Sequence, residues 1–269
     1  AEFRAALRLS EHDAETFAAY AVALVDAGRP ADAERYAHEA VRLNPQADEP
    51  HHTLGSIRQA QGRFAEAEAE FRRAIELNPV HARAYNNLGN VLAAQGRMTD
   101  ACAAWRAAGE CGLHVPEAYY NLSMASYLAG DMAEAARTLT DALRRFGDQP
   151  MLLAGLAAIR ATAPAATDRN GEEAIALTNR LVRAAGGTDA ATADLLAAAF
   201  AEAGRWDDAV TTAQLALKLA REKGDAALAA QVEGRLALYA ARQPYHQQPG
   251  APYRPPQPRL AEPPRGWRR

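Results

Sequence analysis

The chain has 269 residues, 49% apolar and 23% charged, a globular composition long enough for one or two domains. Its 30 Lys and Arg against 33 Asp and Glu leave a net charge of −3, which argues against a strongly basic nucleic-acid binder; two cysteines exclude a disulfide scaffold or a four-cysteine zinc site. The longest strongly apolar run, Met151 to Ile159, falls far short of the roughly 20 residues that cross a bilayer. No signal-peptide pattern opens the chain, and Ala1 stands inside a helical pattern, which predicts a piece of a longer protein.

One period runs through most of the sequence. Gly28, Gly62, Gly96 and Gly130 are 34 residues apart, and the same step links Ala33, Ala67, Ala101 and Ala135. It also links Phe3, Ala37, Phe71, Trp105 and Leu139. Within one period Tyr85, Leu88, Gly89 and Leu92 fall at i, i+3, i+4 and i+7, one face of a helix. Small Gly89 admits a partner helix, and Gly96 ends the first helix where a left-handed residue is needed. Met98, Ala101, Trp105 and Ala108 form the matching face of a second helix. In the unit before, Asn78-Pro79 stops the second helix. Each period is thus a helix–turn–helix hairpin whose core its neighbours complete.

The stretch Tyr85-Asn86-Asn87-Leu88-Gly89 through Gly96, with the Ala101 and Trp105 columns and Pro79, resembles the tetratricopeptide repeat. The resemblance implies an all-α, right-handed superhelical solenoid. In chain order, residues 1–13 supply a partial unit; units follow at 14–47, 48–81, 82–115, 116–149, 150–189 and 190–223. The fifth is lengthened by a turn-rich loop at 162–171. A capping helix at 225–242 covers the open end, and 243–269 form a Pro- and Arg-rich disordered tail containing P-x-x-P at 255–258.

No phosphate-cradling loop or nucleophile elbow occurs, the histidines show no metal-ligand spacing, and Glu66, Glu68 and Glu70 read as solvated helix charge. The expectation is a non-catalytic chain with no cofactor and no metal. The resemblance places first helices on the concave side. There the candidate peptide-binding residues are His52, Thr53, Arg83, Asn86, Asn87, Asn90, Tyr120, Asn121, Met124 and Tyr127. Asn87 and Asn121 occupy one position in successive units, similar to the asparagine ladder of O-linked N-acetylglucosamine transferases, and an amide offers both donor and acceptor to a peptide backbone. The carboxylate clamp of chaperone-binding repeats is not expected, since Lys218 and Lys223 are the only lysines and both lie far from the groove centre. The expected partner is therefore a protein or an extended peptide, with no nucleic acid.

A narrower resemblance lies near the end. Arg169-Asn170-Gly171-Glu172-Glu173-Ala174, the stretch Ala197 to Trp206, Ala237-Leu238-Tyr239 and Gln243-Pro244-Tyr245 resemble the terminal repeat module of bacterial membrane glycosyltransferases of the protein O-mannosyltransferase type. That implies an alternative role as an accessory domain recruiting an acceptor, in the cytoplasm or on the extracytoplasmic face of a membrane-bound parent.

Overall fold

Residues 13–112 and 115–247 are described by a computed structural model; all but residue 13 of the expected partial unit at 1–13, and the P-x-x-P segment, lie outside the described residues. Thirteen α-helices and one 3-10 turn are present, with no strand among the described residues. The chain divides into two compact units, residues 1–118 and 119–269.

In the first unit, α1 (Ala14–Asp26) pairs with α2 (Pro30–Leu43), α3 (Asp48–Ala60) with α4 (Phe64–Leu77), and α5 (Ala82–Ala94) with α6 (Met98–Glu110). First helices also touch each other in sequence, α1 on α3 and α3 on α5. The turn inside each hairpin has one chemistry. Gly28, Gly62 and Gly96 sit at φ 72°, 75° and 79°. The next residue donates back into the first helix, as Arg97 N does to Leu92 O at 2.9 Å. That next residue is Arg29, Arg63 or Arg97, and each guanidinium pairs with the acid three residues on, Asp32, Glu66 or Asp100. Arg63 and Arg97 also reach the preceding second helix, at Glu34 (2.7 Å) and Glu68 (3.0 Å). Such pairs contribute little energy when exposed, but they tie each hairpin to the one before. The expectation that Glu68 and Glu70 are solvated is therefore corrected: their side chains are 17% and 18% exposed, and Glu70 binds both His51 and Arg58.

Two of these helix pairs, α3–α4 and α5–α6, close tightly because the first helix carries glycine at the crossing. A Cβ on Gly55 would lie 2.8 Å from the Phe71 ring, and one on Gly89 only 2.4 Å from Trp105 Nε1. Phe71 is fully buried and Trp105 is 6% exposed.

α7 (Pro116–Leu128) leads into the second unit, which holds α8 (Met132–Phe146), α9 (Pro150–Thr162), α10 (Gly171–Ala185), α11 (Ala190–Glu202), α12 (Trp206–Glu222) and α13 (Ala226–Ala240). α9 is apolar almost all round and buried accordingly, packed on α8, α10 and α11. The longer connection after α9 holds the 3-10 turn at Ala166–Asp168. Arg169 fixes it, donating from Nη1 to the Ala163 and Pro164 carbonyls at 2.8 Å and from Nε to Glu202 at 2.9 Å. α13 packs on α12 and α11. Residues 243–247, expected to begin a disordered tail, are instead ordered; 244–247 are half-buried against this unit. No helix among the described residues is long and apolar enough to cross a membrane.

Candidate functional site

The first unit brings polar residues of α3 and α5 together. His81, the cap of α5, accepts from Ala84 N through Nδ1 at 3.3 Å. Its other ring nitrogen therefore carries the proton and meets Glu49 Oε2 at 3.1 Å. The second oxygen of Glu49 accepts from Arg83 Nη2 at 2.7 Å. The His81 hydrogen bond, aided by the charge of Arg83, holds the Glu49 carboxyl down at about 2. On the next turn of α3, His52 Nε2 accepts from Asn87 Nδ2 at 3.1 Å, and Asn87 also lies 3.4 Å from Ser56 Oγ.

Glu49, His52 and His81 place their ligating atoms within 4.8 Å of one another. One carboxylate and two imidazoles thus converge from α3 and the cap of α5, a grouping the sequence spacing did not reveal. The hydrogen bonds assign it to a proton network. The backbone N–H on His81 Nδ1 puts the ring proton on the nitrogen that a metal would take, and the Arg83 cation already holds the carboxylate.

Burial pushes the His52 imidazole down to about 4 from 6.5. The folded state therefore favours neutral His52, so unfolding takes up a proton between pH 6.5 and 4 and stability falls as pH is lowered through that window. Thermal melts from pH 7 to pH 4 should show this loss, on the order of 3 kcal/mol. His52→Gln, which keeps an acceptor for Asn87, should flatten the slope. An unchanged slope in the variant places the titration elsewhere.

The candidate residues are not equally presented. Arg83 is exposed, with 63% of its side chain accessible, and Asn87 is half-exposed. Thr53 is 3% exposed and Asn86 8%, so both belong to the packed layer beneath the inner surface. Asn90, expected to continue the peptide-facing stripe, instead accepts from Trp105 Nε1 at 3.1 Å and so faces its own hairpin partner. In the second unit Asn121 and Met124 are half-buried. Tyr120 lies against α9, its ring 3.5 Å from where a Cβ on Gly155 would stand. Tyr127 is 6% exposed. Burial pushes both phenols up to about 12, and Tyr245 adds to the rise at Tyr127.

Models of the tetratricopeptide repeat match residues 14–39, 52–112 and 192–227. No curated protein matches the chain. Among solved structures, PilF of Pseudomonas aeruginosa is 20% identical over 82% of this chain and 96% of that one, with a TM-score of 0.68. The APC/C hetero-tetramer Cut9–Hcn1 is 18% identical over 87% of this chain and 44% of that one, TM-score 0.62. YrrB, described as a TPR protein with an unusual peptide-binding site, is 17% identical over 74% of this chain and 97% of that one, TM-score 0.55. Identities this low show the fold alone. No catalytic family is indicated, and the resemblance to the O-mannosyltransferase module is not shown.

Proposed function

We propose that this chain, which is a tetratricopeptide-repeat protein, is a non-catalytic scaffold that binds an extended peptide on the inner faces of its first helices. The observation that carries the reading is the α3–α5 cluster of the first unit. Its half-exposed members are held in place by each other and still have hydrogen-bonding capacity. Arg83 uses one nitrogen on Glu49 out of five N–H donors. The Asn87 carbonyl oxygen takes a hydrogen bond from Asn86 at 3.4 Å and has a second lone pair. A peptide backbone, which offers an N–H and a C=O at every residue, fits such a surface. The second unit presents Asn121 at the corresponding position of α7. YrrB, with the same fold, lends support as a repeat protein with a peptide-binding site of its own.

Peptides selected from a library on the purified protein test this. Asn87→Ala, removing one or two hydrogen bonds of about 0.5–1.5 kcal/mol each, should weaken binding to the first unit about two- to a hundredfold. Melts of the variant keep affinity separate from stability, since Asn87 also supports His52. Undiminished binding of every selected peptide by a folded Asn87→Ala variant removes this asparagine from the site.

A further inference from the structure

Past the end of α13 the chain turns back on its own unit. Arg242 N donates to Tyr239 O at 3.0 Å and Gln243 N to Leu238 O at 2.9 Å, with Arg242 in the left-handed region at φ 55°. Glycine is the usual residue at that position. The segment that follows is held at each of three successive residues. The Tyr245 ring lies 4.6 Å from the Arg235 guanidinium and packs on the core that includes Tyr127 and Tyr239. His246 Nε2 meets Glu202 Oε2 at 2.8 Å. Gln247 N donates to the Thr162 carbonyl at 2.8 Å.

The surface underneath belongs to first helices and to the capping helix α13, which supplies Arg235 and Tyr239. Thr162 and Glu202 are the thirteenth residues of their periods, and Asp194 is the fifth, as His52 is in its own. The inner face of the second unit is therefore covered by an extended piece of the same chain. The cover is incomplete in one respect. Asp194 bonds to Arg235 through Oδ2, but Asp194 Oδ1 and Tyr239 Oη are buried with no hydrogen-bond partner among the described residues. A site with unsatisfied buried polar atoms has capacity that its present occupant does not use.

We propose that the inner face of the second unit is a peptide site occupied by the chain's own Tyr245–Gln247, and that its outside partner is an extended segment carrying an aromatic residue followed by an imidazole or cationic side chain. The contacts define the partner. The aromatic ring goes under the Arg235 guanidinium, a cation–π arrangement. The following side chain meets the Glu202 carboxylate. The backbone N–H of the third residue goes to the Thr162 carbonyl. The tethered segment competes at a high effective concentration, so the site opens only to a partner that binds better or when the tail is drawn away. This inference rests on the peptide-binding reading but uses residues of the second unit alone.

The probe is a labelled peptide with the sequence of residues 242–249, added to the full chain. Tyr245→Ala/His246→Ala, which loosens the tethered segment, should bind the peptide at least tenfold more tightly than the parent chain, and adding Glu202→Gln should reverse the gain. In the parent, hydrogen exchange at the Gln247 amide should be slowed at least tenfold against the free peptide. Equal binding by parent and folded variant, or a Gln247 amide exchanging as fast as in the free peptide, overturns the proposal; should the variant not fold, the exchange measurement decides. Asn87→Ala should leave this binding unchanged, which separates failure here from failure of the first-unit site.

Discussion

Trp105→Ala should lower the free energy of unfolding by about 3–5 kcal/mol, the range for truncating a buried aromatic. Trp105 is 6% exposed and its ring lies directly over Gly89. The substitution leaves a cavity at the α5–α6 crossing and removes the Nε1–H donor from Asn90. Trp105→Phe, which keeps most of the volume, should cost less. Gly89→Ala is the opposite perturbation: its Cβ would meet the indole at 2.4 Å, so one of the two helices must shift. Because the new methyl falls into the space vacated by the indole, the double variant should lose less than the sum of the single losses. Urea titrations give all three values. A loss below about 1 kcal/mol for Trp105→Ala means the ring does not carry the hairpin.

Arg235→Ala should be comparably damaging for an electrostatic reason. Asp194 is 5% exposed and bonded to Arg235. Removing the partner of a buried ion costs about 3–5 kcal/mol. Burial already pushes the Asp194 carboxyl up, and Arg235 is what opposes that rise. Without the guanidinium the carboxyl should titrate higher still. A folded-state acid with a raised pKa binds its proton more readily than in the unfolded chain, so the variant's deficit should be larger at pH 8 than at pH 5. Adding Asp194→Asn, which removes the charge, should recover part of the loss. Unfolding measured at the two pH values checks this; a small, pH-independent loss contradicts it.

The fold class was legible because the repeat exposes its own physics. A glycine every 34 residues marks the turn at positive φ, and alternating small and large columns mark the crossing, Gly89 against Trp105 and Gly55 against Phe71. What the period could not carry is the detail of side-chain direction. Asn90 lies on the stripe that continues Asn87, yet the indole N–H on the second helix of its own hairpin draws its carbonyl inward. Thr53 shares the helix position of Asn87, but in α3 that position is 3% exposed. The Glu49–His81 contact joins residues 32 apart and is set by where His81 caps α5, which no linear spacing encodes. The fold-back of 243–247 was missed for a compositional reason: a proline-rich stretch reads as disordered, and nothing local signals that Tyr245 and His246 have partners on α11 and α13.

Placement of a selected peptide by nuclear magnetic resonance tests the central claim most directly. With the protein labelled on nitrogen, a peptide taken from the library should shift the side-chain amide of Asn87 and the backbone amides of α3 and α5 around Glu49 and Arg83, with the second helices little changed. Shifts confined to outward residues of the second helices, such as Arg72, Arg106 or Arg137, would contradict the assignment of the inner face as the binding surface.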